Sequence, residues 1–167
     1  MEIRRRQEAD MERCVAMAAV VHQQDRYPRY LGHDLRSFLM YPGALGAWVA
    51  DSGTDIVGHV ALHPDSSEPV MALIKETTGL DNGDLGVIAR LMVAPTARGA
   101  GVAQALLEVA TTHAQALGRQ PVLDVVSSTT AAIRLYERNG WTRLGTVTAH
   151  FPGGSLEEHV YLGPAGA

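Results

Sequence analysis

The chain reads LMVAPTARGAGVA from Leu91 to Ala103, an apolar run that ends at a proline and leads through an arginine and two glycines into a long apolar segment. This order predicts a strand, a tight loop and a helix. Small residues at 99–101 and 103 let a ligand approach the main chain closely. The unpaired amides and the positive dipole end of the predicted helix favour phosphate oxygens. We therefore predict a site for a pyrophosphate-bearing cofactor.

Other glycine-rich loops bind phosphates, and the residues here distinguish them. A Walker A loop requires Lys-Ser or Lys-Thr after its last glycine, but Gly101 is followed by Val102, and the only lysine of the chain is Lys75. A dinucleotide fingerprint that starts at Gly99 would place Gln104 at its third small position, which disfavours it. A helix start with small residues for close packing remains an alternative, so a second motif has to decide.

The second motif runs from Leu123 to Trp141 and reads LDVVSSTTAAIRLYERNGW. Together the two motifs resemble the signature of the GCN5-related N-acetyltransferase (GNAT) superfamily. That signature pairs a Leu-x-Val-x-Pro strand and an Arg-x-x-Gly-x-Ala loop with a later Ala-x-x-Leu-Tyr-Glu-x-x-Gly-Phe segment. Here the late segment extends from Ala132 to Trp141, with Trp141 in place of the usual Phe.

The resemblance implies an α/β (α+β) fold. Its core is a mixed, mostly antiparallel sheet of six or seven strands with a central splayed parallel pair, flanked by about four or five helices. We expect a single N-acetyltransferase domain over residues 1–167, with the last few residues as a disordered tail. Local patterns add three helices: a first one capped by Asp10, a short one that starts at Asp34 and runs through Met40, and one that is capped by Ser67 and ends at Gly79.

The resemblance further implies transfer of an acetyl group from acetyl-CoA, the co-substrate, to a primary amine of a small molecule or peptide. The main chain of 91–93 would pair with the pantetheine arm, and the loop amides would hold the pyrophosphate. Tyr136 matches the family's proton donor to the departing thiolate; its alternative is a packed aromatic residue. The residues predicted to bind the cofactor are Leu91, Met92, Val93, Arg98, Gly99, Ala100, Gly101, Val102, Ala103 and Thr129, the last standing where relatives commonly carry Asn.

The general base does not carry over from the family. Several relatives place a Glu at the position of Val87, which cannot take a proton. The candidates left open are Asp84, His59, His63, Glu76 and a water relay. For the two histidines a structural role in a strand is the alternative, and Asp124 is equally a polar structural residue or a catalytic one.

Two segments, 22–42 and 64–84, are expected to shape the acceptor site, with an ordinary solvated loop as the alternative. The predicted acceptor contacts are Arg26, Tyr27, Arg29 and Tyr30. A non-catalytic acyl-CoA-binding sensor or regulatory domain is the second functional hypothesis. The missing strand Glu favours it, whereas Tyr136 favours catalysis, since cofactor binding alone does not require a phenol there.

Composition agrees with one compact enzyme domain. A net charge of -4 and a pI near 5.9 provide no basic surface for nucleic acid or an anionic membrane, and we expect the short basic run 4–6 to be an exposed strand edge or solvated face. Cys14 is the only cysteine, and no metal-ligand spacing occurs, so we expect neither a disulfide nor a bound metal. Acidic residues precede the apolar run 14–21, so we read no signal peptide and expect a cytoplasmic protein, either monomer or homodimer.

Overall fold

The computed structural model describes residues 1–29, 31 and 34–166. The chain divides into two compact units. The first unit comprises Met1–His63 and Ile88–Ala110, and the second comprises Pro64–Val87 and Thr111–Ala167. Tyr30, one of the predicted acceptor contacts, lies outside the described residues.

Within the described residues, seven strands form one sheet in the order β1-β2-β3-β4-β5-β7-β6. The strands β4 and β5 pair in parallel through Leu85, Gly86 and Val87, which lie opposite residues 120–122. The result is a mixed, mostly antiparallel sheet with one central parallel pair, and the predicted fold class is confirmed. The strands are β1 Glu2–Arg5, β2 Gly46–Asp51, β3 Ile56–His63, β4 Leu85–Val93, β5 Gln120–Val126, β6 Thr142–Phe151 and β7 Gly154–Leu162.

Five α-helices accompany the sheet in the described part of the chain: α1 Met11–Asp25, α2 Leu35–Leu39, α3 Glu68–Thr78, α4 Val102–Ala116 and α5 Thr130–Arg138. Two predicted boundaries are confirmed. The Asp34 carboxylate accepts from the Ser37 amide at 2.8 Å and caps α2. Gly79 ends α3 with φ 78°, a left-handed conformation that glycine adopts without steric cost.

Two predicted side-chain caps are wrong. The Asp10 side chain makes no capping bond to α1, because it is committed elsewhere: it accepts from both terminal nitrogens of Arg4 at 2.8 Å and from the Gln7 amide at 2.7 Å. The Ser67 hydroxyl caps nothing, although α3 does begin directly after Ser67. Arg4 lies only six residues before Asp10, yet the Asp10 oxygens bind its guanidinium and not the first amides of α1.

The arginine run lies at the end of β1, an edge strand of the sheet, and Arg5 is exposed, which agrees with the prediction. Arg4 pairs with Asp10 and with Asp51 of β2. The Arg5 guanidinium lies 5.2 Å from the centre of the Trp48 ring. Although β1 is an edge strand, its arginines therefore tie it to the first unit.

Each unit has its own apolar core. In the first, α1 contributes Met11 and Cys14, which pack with Val49 of β2. In the second, Val70 and Ile74 of α3 pack with Val87, Val122 and Val160 of β4, β5 and β7. The helix α3 thus covers the face of the second unit's strands on which residues 122 and 160 lie.

Candidate active site

The predicted anion loop follows β4 in the first unit. The Ala94 amide donates to the Val57 carbonyl at 2.8 Å, and Pro95–Ala97 form a single 3-10 turn. Gly99 and Gly101 then adopt φ 83° and 80°, which favour glycine. Both are exposed, and a Cβ built on either would meet no atom within 4 Å. The main chain is therefore open to a ligand at both glycines.

The start of α4 adds hydrogen-bond donors to this loop. The Gly101 carbonyl accepts from the Ala105 amide at 3.1 Å, so the helical pattern begins there. The first amides of a helix have no intrahelical acceptor, and the macrodipole makes that end positive. Val102 is 2% exposed, so its side chain anchors α4 and leaves only its main chain for a ligand. The loop and the first turn of α4 suit an anion.

The Arg98 side chain contacts the end of β4, directly before the loop, and the end of α1. Its Nε and one terminal nitrogen donate to the Val93 carbonyl at 3.2 and 3.1 Å, and its guanidinium pairs with Asp25 at the end of α1. The side chain thus fixes the conformation of the loop.

A local distortion of β4 precedes the predicted pantetheine strand. Arg90 adopts φ 55°, which is unusual for a residue with a side chain. The Arg90 carbonyl lies 2.9 Å from His59 Nδ1, while a terminal nitrogen of Arg6 lies 2.9 Å from His59 Nε2. Arginine only donates, so Nε2 accepts and Nδ1 carries the proton. The Arg90 guanidinium also stacks 3.9 Å from the centre of the Phe38 ring. These residues hold the bend directly before Leu91, and no local pattern in the sequence indicated them.

The two histidine candidates for the general base are poor proton acceptors. His59 is fully buried, and burial lowers its pKa to about 4. His63 is 3% exposed and stacks on the Tyr41 ring at 4.0 Å, and burial lowers its pKa to about 3. Its Nε2 has no hydrogen-bond partner among the described residues. Both fit the structural alternative better than the catalytic one.

The two acidic candidates lie on the surface of the second unit. Asp84 is exposed, and its carboxylate accepts from the Asp81 amide at 2.9 Å, which closes a short 3-10 turn. Glu76 is exposed on α3. Both carboxylates are therefore solvated, and neither is enclosed among the buried residues of the second unit.

Tyr136 lies on α5 in the second unit and is 7% exposed. Its ring centre is 6.1 Å from that of Trp141 and 6.1 Å from that of Tyr161. The unusual Trp141 of the motif therefore packs against the predicted proton donor. Thr129 precedes α5, and its side chain makes no capping bond.

A carboxyl pair that the sequence did not indicate lies on β5 and β7. Asp124 and Glu158 share a side-chain hydrogen bond, and both are half-buried. Ser66 Oγ donates to Asp124 Oδ1 at 2.8 Å. Burial, and then the charge of Asp124, raise the pKa of Glu158 to about 7. Asp124 was noticed as a polar residue in an apolar strand, but its partner is 34 residues further along the chain and becomes a neighbour only through the strand register.

The segment that leads into α3 borders a cavity of about 420 Å³ within the second unit. Ser66, which donates to Asp124, belongs to its wall. Among the charged residues of the wall, Lys75 is paired with Asp81. The lining residues are Asp65, Ser66, Glu68, Met71, Ala72, Lys75 and Asn82.

The described acceptor candidates lie in the first unit, directly after α1. Arg26 is exposed and ends α1 with φ 57°. The Tyr27 ring is half-buried and packs edge-on against Phe38, with ring centres 5.9 Å apart. Arg29 is exposed. Tyr27 thus has a packing role besides the one predicted for it.

Comparison with known proteins decides the family. Residues 10–141 match the model of the family described as "Acetyltransferase (GNAT) family". The chain belongs to the GNAT family. The match includes both sequence motifs, the anion loop and the helix that carries Tyr136, so the resemblance first seen in the sequence is confirmed.

Solved structures agree on the GNAT fold. Arabidopsis thaliana NAA60 in complex with acetyl-CoA matches with a TM-score of 0.72 at 20% identity, over 96% of this chain and 96% of that chain. The ribosomal-protein-S18-alanine N-acetyltransferase from Escherichia coli matches with a TM-score of 0.71 at 15% identity, over 99% and 94%. At these identities the likeness concerns the fold.

A curated relative matches one part of the GNAT chain. Mycothiol acetyltransferase from Geodermatophilus obscurus is 43% identical over 60 residues, which are 35% of this chain and 20% of the relative. The aligned region thus covers only a fifth of that protein's length. Within the described ranges there is no cluster of three or more metal-ligating side chains. Nor does any described helix have the length and apolar character needed to cross a bilayer.

Proposed function

We propose that this GNAT chain transfers an acetyl group from acetyl-CoA to a primary amine of a small molecule or peptide. The observation that carries the proposal is the open main chain at Gly99 and Gly101, set between β4 and the first turn of α4. Family membership supports acetyl-CoA as the co-substrate, and an acetyl-CoA complex is known for the structural neighbour NAA60. We place the reaction in the cytoplasm, in keeping with a lone, buried Cys14.

Each predicted residue then has a defined task. The amides of 99–103 hold the pyrophosphate, and the main chain of 91–93 aligns the pantetheine arm. Acetyl-CoA supplies the activated thioester. The amide of Met92 or Val93 donates to the thioester carbonyl oxygen as that oxygen gains negative charge. Tyr136 gives its phenolic proton to the departing sulfur.

The acceptor segment after α1 supplies the specificity in this proposal. Arg26 and Arg29 present positive charge, and Tyr27 presents an amphipathic ring beside Phe38. Tyr30 belongs to the same segment of the sequence. Thr129 would contact the cofactor arm in place of the Asn of relatives.

One observation favours the second function, a non-catalytic acyl-CoA sensor. Val87, at the position of the family's Glu, is 2% exposed and packs among Val70 and Ile74 of α3. Valine has no group that can accept a proton, so this position cannot supply the base. Turnover distinguishes the two functions, because a sensor binds acetyl-CoA without releasing free thiol.

The direct test is the substitution Tyr136→Phe. Purified protein is given acetyl-CoA and a panel of amino acids, polyamines, amino sugars and short peptides, and free thiol is followed over time. Phe keeps the ring contacts with Trp141 and Tyr161 and removes only the hydroxyl. We expect kcat to fall by about 10²- to 10⁴-fold, the usual range for general acid catalysis, with unchanged acetyl-CoA affinity.

The control is Tyr41→Phe, which removes a phenol from the other unit at a ring stacked on His63. We expect its kcat to stay near that of the wild type. An unchanged kcat in Tyr136→Phe, with chemistry shown to limit the rate, would reduce Tyr136 to a packing residue. Cofactor binding with no thiol release for any amine would establish the sensor instead.

A further inference from the structure

The proposed reaction lacks a proton acceptor for the amine, and one group in the second unit has the required surroundings. Asp124 of β5 and Glu158 of β7 form a half-buried, hydrogen-bonded carboxyl pair. The β5–β7 register places Asp124 opposite Val160, and Val126 opposite Glu158. The two carboxyl groups are therefore diagonal neighbours on one face of the sheet.

The pair and Tyr136 lie on opposite faces of the same strands. Residues two apart on a strand share a face, so Asp124 lies with Val122, and Glu158 lies with Val160. Those two valines pack against α3. Tyr161 follows Val160 and points to the other face, where its ring meets that of Tyr136 at 6.1 Å. The proposed proton acceptor and the predicted proton donor therefore act from opposite faces of these strands.

The neighbours of the pair explain its proton affinity. Ser66, from the segment before α3, donates to Asp124, and Val147 of β6 lies opposite Glu158. Burial raises the pKa of Glu158, and the negative charge of the neighbouring Asp124 raises it further. The other titratable groups of this side are Asp65, which is half-buried, and the exposed Glu68, Lys75 and Glu76 of α3. A carboxyl pair that shares a proton is anionic and only partly hydrated, which suits an ammonium group.

We propose that the Asp124–Glu158 pair binds the ammonium group of the acceptor, a primary amine, and removes its proton. This inference rests on the proposed acetyl transfer. The acidic residues Asp65 and Glu68 line the cavity that Ser66 shares, and they attract the same kind of acceptor. In this proposal Asp124 and Glu158 are the catalytic proton acceptors. Of the earlier candidates, the two histidines, His59 and His63, are buried in the protein, and the two carboxylates, Asp84 and Glu76, are exposed on its surface.

The ammonium passes one proton to the doubly ionised pair, which later releases it to solvent. The neutral amine then forms the C–N bond, and the C–S bond breaks as the amine nitrogen loses its second proton. The thiolate gains a proton from Tyr136, and the phenol is restored by the proton lost from nitrogen. The products are the amide, free CoA thiol and one proton.

The test compares Glu158→Gln and Asp124→Asn with the control Glu157→Gln, which makes the same chemical change at the neighbouring exposed position. With the best amine of the panel, we expect kcat/KM to fall by about 10²-fold or more in the first two variants and to stay unchanged in the control. Acetyl-CoA affinity, measured by calorimetry, stays constant in all three. A loss in Glu157→Gln equal to that in Glu158→Gln would overturn the inference.

The pH profile separates a proton acceptor from a structural carboxylate. In the wild type, kcat/KM rises with pH as the pair loses its proton, and in Glu158→Gln this rise moves to lower pH because only one carboxylate remains. Two amines of different pKa distinguish the enzyme's titration from the acceptor's. A rise that follows the amine's pKa and ignores the substitution would contradict the role.

Failure of the inference and failure of the proposed function give different results. If Glu158→Gln and Asp124→Asn transfer the acetyl group at the wild-type rate, the catalytic role of the pair is refuted and the proposed function is retained. A wild type that binds acetyl-CoA and acetylates no amine would refute the function. In that case, calorimetric titration of polyamines into the wild type and into Glu158→Gln tests the ammonium site separately. Equal polyamine affinity of the two proteins would refute that site as well.

Discussion

Substitution of Gly58 by alanine tests how tightly α4, and with it the anion loop, is seated on the first unit's sheet. A Cβ at Gly58 would lie 2.8 Å from Leu106 Cδ1, 3.0 Å from Val102 Cγ1 and 3.3 Å from Ala50 Cβ. Leu106 is fully buried and Val102 is 2% exposed, so neither side chain has room to turn away. Relief of the clash therefore requires a shift of Leu106 and Val102, both of which α4 carries.

The magnitude follows from two opposing effects. Overpacking a close-packed core costs about 1–3 kcal/mol. Replacing glycine by alanine recovers about 0.5–1 kcal/mol, because the unfolded chain loses freedom. We therefore expect Gly58→Ala to lower the free energy of unfolding by about 1–2 kcal/mol. Since Val102 directly follows Gly101, we also expect weaker acetyl-CoA binding.

Urea denaturation and calorimetry of acetyl-CoA binding measure the two effects. The matched control is Gly83→Ala, because a Cβ at Gly83 meets no atom within 4 Å and its φ is not left-handed. The control is expected to stay within about 0.5 kcal/mol of the wild type. Equal stability of Gly58→Ala and Gly83→Ala would show that α4 is not packed as described.

Three further predictions concern the loop, the buried histidines and the acceptor segment. Gly101→Ala should weaken acetyl-CoA binding because alanine is strained in the left-handed conformation of this position, and Gly101→Glu should abolish binding because it adds a negative charge. Acetyl-CoA affinities equal to that of the wild type in both variants, measured by calorimetry, would place the pyrophosphate elsewhere. The pKa of His59 is lowered in the folded protein, so below pH 6.5 the folded protein binds fewer protons than the unfolded chain. The free energy of unfolding should therefore fall by up to about 3 kcal/mol between pH 6.5 and 4. A free energy of unfolding that stays constant between about pH 6.5 and 5, measured by urea denaturation, would contradict this. Arg29→Gln and Tyr27→Phe, which keep the fold and the ring of Tyr27, should change the KM or preference for the amine at constant acetyl-CoA affinity, and the reverse pattern would remove this segment from the acceptor site.

The sequence predicted the parts of the molecule that depend on local order. The β4–loop–α4 run and the Ala132–Trp141 segment carry their signal within a few residues, and so do the Asp34 cap and the Gly79 helix end. The structure places each of these elements where the pattern indicated.

The parts that the sequence did not predict depend on pairing between distant strands and helices. The Arg6–His59–Arg90 contacts join β1, β3 and β4, and the Asp124–Glu158 pair joins β5 and β7. Asp10 fits a helix cap locally, yet its carboxylate binds Arg4. Strand register and burial determine which residues become partners, and neither can be predicted from a single segment of the sequence.

Acetyl transfer itself is tested most directly by following the acetyl group. Wild-type protein is incubated with acetyl-CoA labelled with ¹³C in the acetyl group and with the amine panel, and the products are identified by mass spectrometry and NMR. We predict a labelled N-acetyl amide formed in equal amount to free CoA thiol, and no such product without protein. Saturable binding of one acetyl-CoA per chain, with the label remaining on the thioester for every amine, would contradict the account.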